Sequence, residues 1–233
     1  MTTVKLIVAV LLPALCAAAQ FVVFTHVDNI KPFQYITLAQ ARVAHPLPAQ
    51  VVLIHHVFHH PGREDWNRNW DPSASDVKFL EKLSIQLVKY RFEDETAEHS
   101  TILRNWRNAS VTPPFIEHFC MLRFASLAHF AKQQPPGSTF VHGDLDIVFM
   151  MNVFTSLPYS HWFVGSYLAV WDSPLLSEFV KYAVSFYTAN VTTQANVIST
   201  YGEPVSGKLE EILDGYVSSW WPLARDQRKN WCV

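Results

Sequence analysis

The sequence predicts an α/β fold with a mainly parallel central sheet flanked by helices, and three observations carry that expectation. The apolar run Phe21-Val22-Val23-Phe24 is followed by helical spacing of Ile36, Leu38, Ala39 and Val43, then by a second apolar run, Val51-Val52-Leu53-Ile54. Strand, helix and strand within about 35 residues is the βαβ unit of a parallel sheet. Further on, Phe115, Ile116, Phe119, Leu122, Phe124, Leu127, Ala128 and Phe130 recur at three- and four-residue steps, a helix that feeds the strand Phe140-Val141. The third observation is bulk. Of 233 residues, 49% are hydrophobic and 16% charged, which supplies a full core and excludes disorder as the main state.

Element by element, the first strand runs from Phe21 to Val27 and the first helix from Ile36 to Ala44, broken by Pro46. His59 to Ser75, with Pro61, Gly62, Asn67, Asn69 and Pro72, reads as a loop. Phe79 to Leu83 reads as a short helix end and Ile85 to Val88 as a third strand. The polar connection from Glu93 to Pro114 is too long for an ordinary turn and is a candidate functional loop. After the long helix, Gln133 to Gly137 stops the pattern. The next strand runs through Gly143-Asp144-Leu145-Asp146 and resumes as Ile147-Val148-Phe149. Trp162-Phe163-Val164 and Tyr167 to Trp171 are further strand material, and Asp172 or Ser173 with Pro174 opens a helix to about Tyr187. Asn196 to Thr200 and Leu209 to Val217 read as short helices.

Lys and Arg number 18 against 20 Asp and Glu, so no basic field collects nucleic acid, and any anionic ligand must be held by a local site. Lys5 precedes an apolar run from Leu6 to Ala19, with Ala17-Ala18-Ala19 as a cleavage signal before Gln20. Residues 1–19 therefore read as a signal peptide, or as a signal anchor if the run continues through Phe24, and residues 20–233 as one domain. Only the anchor reading attaches the chain to a membrane. Localisation follows as the secretory pathway, in the lumen of the endoplasmic reticulum or Golgi, or secretion. Asn108-Ala109-Ser110 and Asn190-Val191-Thr192 are glycosylation triplets. Cys16 falls in the signal, leaving Cys120, read as a buried thiol, and Cys232.

The chemistry concentrates at Asp144-Leu145-Asp146. Two carboxylates one residue apart at a strand-to-turn junction can both approach one cation if the backbone bends, and Gly143 permits a bend. A hard cation such as Mn²⁺ or Mg²⁺ takes oxygen ligands and bridges phosphate oxygens, which is what a nucleotide-sugar donor demands. The bland alternative is a polar strand end with solvated carboxylates.

From Ile30 to about Tyr187 the chain resembles a nucleotide-sugar glycosyltransferase of the glycosyltransferase-A fold, a Rossmann-like architecture. The resemblance lies in Pro32-Phe33, Leu38-Ala39-Gln40-Ala41, His45-Pro46 and Val51 to Ile54, then in Glu117-His118-Phe119, Arg123-Phe124 and Leu127, and in the strand Phe140 to Phe149 bearing the Asp pair. Phe163 to Ala169 and the helix with Phe179 and Tyr187 are similar to the family's acceptor-side unit. The resemblance implies transfer of a sugar from a nucleotide-diphosphate donor to a glycan, protein or other acceptor. It makes Asp146 the main metal ligand and sets Asp144 on the donor ribose or on the metal through water. Arg123 is then a phosphate or ribose contact, or alternatively a helix-surface partner of Glu117. Thr25 and His26 end the first strand, where nucleotides are received, and read as base-side contacts or as a capped turn.

Departures from the family pattern leave other functions open. No His follows His161 to complete a metal site, and no carboxylate among Asp172, Glu178, Glu203, Glu210, Glu211 and Asp214 stands out as catalytic base. A shortened, non-catalytic binding member is the first alternative. A phosphohydrolase of the haloacid dehalogenase class is the second, with Asp144 as nucleophile and Asp146 as acid/base, although about 140 residues precede a motif that normally opens that domain. The pairs His55-His56 and His59-His60 read better as a strand-exit loop than as a zinc site. Trp66, Trp70, Trp220 and Trp221 are either sugar platforms or core.

Overall fold

The structure, a computed structural model, describes residues 18–57, 70–91, 114–156, 162–164 and 168–188. Along the chain run β1 (Gln20–Val27), α1 (Pro32–Ala44), β2 (Gln50–Val57), α2 (Ala74–Lys82), β3 (Ile85–Arg91), α3 (Pro114–Lys132), β4 (Thr139–Gly143), α4 (Val153–Ser156), β5 (Trp162–Val164), β6 (Leu168–Asp172) and α5 (Ser173–Thr188). Six strands form one sheet in the order β3-β2-β1-β4-β6-β5. The four strands β3, β2, β1 and β4 are parallel; β6 returns antiparallel to β4, and β5 antiparallel to β6. The mainly parallel α/β sheet expected from the sequence is the architecture found.

The interior parallel strands β1, β2 and β4 are buried on both faces, so they read as apolar runs while their side chains alternate between two cores; the edge strand β3 is only partly buried. Phe21, Val23, Val52, Ile54, Phe140 and Trp171 face one way and pack under α3 and α5. Val22, Phe24, Val51, Leu53, Val141 and Val170 face the other way, toward α1 and α2. Right-handed crossovers explain the sorting. Stepping from β1 to β2 to β3 puts α1 and α2 on one face; reaching β4 on the far side of β1 puts α3 on the opposite one. Aromatic rings fill the α3 side, with Phe21 stacked on Phe140 at 5.2 Å and Phe124 edge-on to Phe179 at 5.1 Å.

Local chemistry sets the helix ends. Ser73 Oγ accepts from the Asp76 amide at 3.2 Å and Asp76 Oδ2 accepts from the Ser73 amide at 2.8 Å, a capping box that starts α2 five residues before the Phe79 expected from periodicity. Asp172 Oδ1 accepts from the Leu175 amide at 2.7 Å and opens α5, one of the two caps anticipated. Gly137 carries a φ of 80°, the left-handed turn between α3 and β4.

Two sequence expectations are corrected. Ile36 and Val43, taken as core-facing, are 67% and 72% exposed, and α1 instead buries Gln34, Thr37, Leu38 and Ala41. Gln34 is tolerated inside because its Oε1 accepts from the Lys31 amide at 2.7 Å, and an apolar count cannot register a polar residue satisfied by its own helix start. The strand also does not resume after the Asp motif. β4 ends at Gly143, and the Ile147 amide donates to the Asp144 carbonyl at 2.9 Å, turning the chain away from the sheet. The leader up to residue 17, both glycosylation triplets, the connection Glu93 to Pro114 as far as residue 113, and the short helices expected after residue 195 lie outside the described residues. Among the described residues no helix is long and apolar enough to cross a membrane.

The two faces of the β1 and α1 region respond differently to truncation. Phe24→Ala, at a residue fully buried against Phe149, should cost about 3–5 kcal/mol in urea unfolding. Ile36→Ser should change stability by no more than about 0.5 kcal/mol. A loss of about 2 kcal/mol or more in Ile36→Ser would mean that this side of α1 packs against a core.

Candidate functional site

The chain leaves β1 toward β2 and β3, then re-enters the sheet on the other side of β1 at β4. That reversal opens a crevice above the carboxyl ends of β1 and β4, the usual ligand position in an open parallel sheet. Thr25 and His26 end β1, His55 and His56 end β2, and His142 and Gly143 end β4. Asp144, Leu145 and Asp146 follow directly, so both carboxylates stand at the carboxyl end of an interior strand.

The turn that carries them is held from both sides. Leu145 and Phe149 are each 4% exposed in the α1-side core, and Phe149 meets the edges of Phe24 and His45 at centroid distances of 5.8 and 5.1 Å. His45 was given no chemical role by the sequence, yet it ties this segment down. Its Nδ1–H donates to the Ala41 carbonyl at 3.0 Å, and its Nε2 accepts from the Val153 amide at 3.1 Å. With Leu145 and Phe149 anchored inward, Asp146, Val148 and Met150 face solvent. Gly143 is not needed for a left-handed bend; an added Cβ there would touch the Phe149 ring at 3.4 Å and Leu168 at 3.7 Å, close but ordinary contacts.

The two carboxylates therefore occupy different environments. Asp144 is 31% exposed and accepts from Arg123 on α3, whose side chain is 3% exposed. Arg123 is thus buried beneath its helix rather than displayed on its surface. One turn further along α3, Ser126 Oγ donates to the Arg123 carbonyl at 2.9 Å and lies 2.7 Å from His56 Nε2. Beside it, Thr25 Oγ1 lies 3.0 Å from His142 Nε2, with both residues buried. Ion pair, Thr–His pair and Ser–His pair form one polar layer between α3 and the strand ends. His26 sits at the half-buried rim, its Nε2–H donating to the Asn29 carbonyl at 3.3 Å.

On the opposite sheet face, His55 stacks on Trp70 at 4.6 Å and donates from Nε2 to the Asp28 carbonyl at 3.2 Å. His55 and His56 point to opposite faces, as neighbours on a strand must, so they cannot share a metal ion. His59, His60, Trp66, Trp220, Trp221 and Cys232 lie outside the described residues, and Cys120 is half-buried rather than fully buried. Among the described residues no three His, Cys, Asp or Glu side chains converge.

Burial governs protonation on both faces of the sheet. On the α1 side it pushes His55 down to about 3, with His26 and Lys89 adding to the effect, and in the polar layer it pushes His142 well below the ordinary imidazole value, with Arg123 adding. These imidazoles are neutral at pH 7. Burial also raises Asp144; Arg123 opposes that rise, and Asp146 reinforces it.

No protein-family model and no curated protein matches the sequence. Among solved structures, the chain is similar to the PaToxG glycosyltransferase, with 10% identity, 91% of this chain and 73% of that chain covered, and a TM-score of 0.48. It is also similar to mouse xyloside xylosyltransferase 1 in its apo form, with 9% identity, 87% and 82% coverage, and a TM-score of 0.39. Likenesses of this strength carry no argument about function.

The neutral histidines make stability depend on pH with a definite sign. Both have folded values below the unfolded 6.5, so between that value and the folded one the unfolded chain binds protons that the native chain refuses. Stability is therefore complete above pH 6.5 and falls as pH drops, by about 1.4 kcal/mol per pH unit for each such His. Asp144, raised in the native state, offsets part of this loss near the carboxylate range. His55→Phe, which keeps the stack on Trp70, should flatten the slope between pH 6 and 4 by about one histidine's share in urea melts. An unchanged slope would mean that His55 is protonated in the native state.

Proposed function

We propose that this protein is a glycosyltransferase that receives the diphosphate of a nucleotide-sugar in the crevice between β1 and β4. The observation that supports this most strongly is the pairing of one fixed and one exposed carboxylate at the reversal point of a parallel sheet. Asp144 is oriented by Arg123, and Asp146 reaches solvent one turn further on. Mn²⁺ or Mg²⁺ fits this donor set, because such ions take one or two carboxylates and complete their shell with phosphate oxygens and water. When bound, the cation would supply charge neutralisation of the departing diphosphate.

The chain's own residues then have separable tasks. Asp146 holds the cation from the exposed side. Asp144 supplies a second oxygen or a donor hydroxyl contact, and Arg123 keeps its carboxylate aimed at the crevice. Arg123 acts on the donor through Asp144 in this reading, and reaches a phosphate only if the ion pair opens. Thr25 fixes the end of β1 through His142, while His26 at the rim lies where a nucleoside base would rest. The acceptor approaches over the exposed side of the 146–151 segment. Action in the secretory pathway, after removal of residues 1–19, completes the proposal. Cleavage there leaves β1 whole, since that strand begins at Gln20.

Isothermal titration of a uridine or guanosine diphosphate-sugar, with and without Mn²⁺, tests the site. Asp146→Asn should abolish metal-dependent binding while changing stability by only about 0.5 kcal/mol, as expected of an exposed position. Asp144→Asn should weaken binding and also destabilise the fold, by about 1–3 kcal/mol, because it removes a charged hydrogen-bond partner of the buried Arg123. Donor binding that is indifferent to metal and to both substitutions would leave a non-catalytic binding module. Phosphatase turnover lost only in Asp144→Asn would instead identify the phosphohydrolase.

A further inference from the structure

A second cavity of about 230 Å³ opens on the α3 face of the sheet beside β3, away from the Asp-bearing turn. Val88, Tyr90, Ser126 and Phe130 line it together with His129 and Gln133, of which His129 is half-buried and Gln133 exposed, so these two form its mouth. We infer that this pocket binds a single neutral hydroxylated ring, such as one sugar residue, and does so independently of the donor site.

The chemistry of the mouth points to that ligand class. Gln133 Nε2 lies 2.9 Å from His129 Nε2, one helical turn away on α3. Two nitrogens in such contact require one to donate and the other to accept, so the Gln133 amide donates and the imidazole carries its proton on Nδ1. One acceptor, Gln133 Oε1, and two donors, His129 Nδ1–H and the second Gln133 N–H, are left. Turning the amide over leaves the two Gln133 N–H donors with His129 Nδ1 as acceptor. Adjacent hydroxyls on a ring match such a set, since one hydroxyl accepts while its neighbour donates. Val88, Phe130 and the Tyr90 ring, edge-on to His129 at 5.6 Å, add apolar surface that suits the C–H face of the same ring.

An anionic ligand is disfavoured, because the ammonium of Lys89, the cation among the described lining residues, is already engaged by Asp71 at 2.5 Å. Size excludes a nucleotide, because sites for drug-sized ligands start at about 300 Å³. Position adds a functional meaning. Arg123, Ser126, His129 and Gln133 follow one another along α3, and at about 1.5 Å per residue the mouth lies about 9–15 Å beyond the Arg123–Asp144 pair. A ring held here would sit two or three sugar units from the metal-binding turn.

The test uses the full chain, ¹⁵N-labelled and titrated with glucose, xylose and N-acetylglucosamine, without nucleotide or metal. At least one sugar should shift amides confined to β3 near Val88 and to α3 between Ser126 and Gln133, with dissociation constants on the order of millimolar. Gln133→Ala and His129→Ala, both at the partly exposed mouth, should each weaken that binding about two- to ten-fold, while Asp146→Asn leaves it unchanged. Three results would overturn the inference: no localised shifts up to about 50 mM, shifts retained in the double variant, or stronger shifts with inorganic phosphate than with any sugar. Loss of metal-dependent donor binding in Asp146→Asn bears only on the donor site, so either reading can fail without the other.

Discussion

The contact between Arg123 and Asp144 is the constraint around which the crevice is organised. A carboxylate at the end of a buried strand costs several kcal/mol unless an opposite charge and hydrogen bonds accompany it. Arg123 supplies both from the underside of α3, with a planar fork that a lysine could not reproduce. The pair also fixes geometry. It ties the middle of α3 to the end of β4, so the helix cannot slide along the sheet without stranding a charge. Ser126 and His56 are then brought into register one turn further along, and the Asp146 carboxylate is left on the outer side of the turn.

A neutral imidazole is the second part of the design. Burial, with Arg123 adding, holds His142 well below the ordinary imidazole value, so no second positive charge stands beside the guanidinium. The His142 ring then meets Thr25 at no cost in charge, and the Ser126–His56 contact extends the layer. Threonine and serine are apt partners because a hydroxyl donates or accepts as the imidazole tautomer requires.

The parallel sheet was legible because its interior strands are buried on both faces and so appear as unbroken runs such as Val51 to Ile54. The long helix Pro114–Lys132 was legible from spacing alone, and the Asp pair from its position after an apolar strand. Failures came where polar atoms decided the outcome. Gln34 is buried through a bond to a backbone amide, so α1 turned a different face inward than its apolar residues indicated. The start of α2 was missed although Ser73 and Asp76 stand three apart, a capping signal weaker to the eye than a hydrophobic run. Arg123 stands out in the sequence as a candidate contact, but the carboxylate it meets lies 21 residues away on another element. Such a pairing depends on tertiary geometry, as does His45 reaching Val153 across 108 residues. Neither leaves a local pattern to read.

The antiparallel return of β6 has a consequence for how this protein can change over evolutionary time. Gly143 at the end of β4 pairs with Leu168 at the start of β6, and the chain between them runs through the core-anchored turn at 144–149, α4 and the edge strand β5 before it returns. Anchors on both sides fix where the stretch between α4 and β5 begins and finishes. Doubling the length of such a connection costs only about 0.6 kcal/mol in closure entropy. That stretch can therefore be lengthened, shortened or rewritten with little penalty to the frame, while the Arg123–Asp144 pair and the turn carrying Asp146 stay in place. It is a replaceable cassette mounted on an invariant floor.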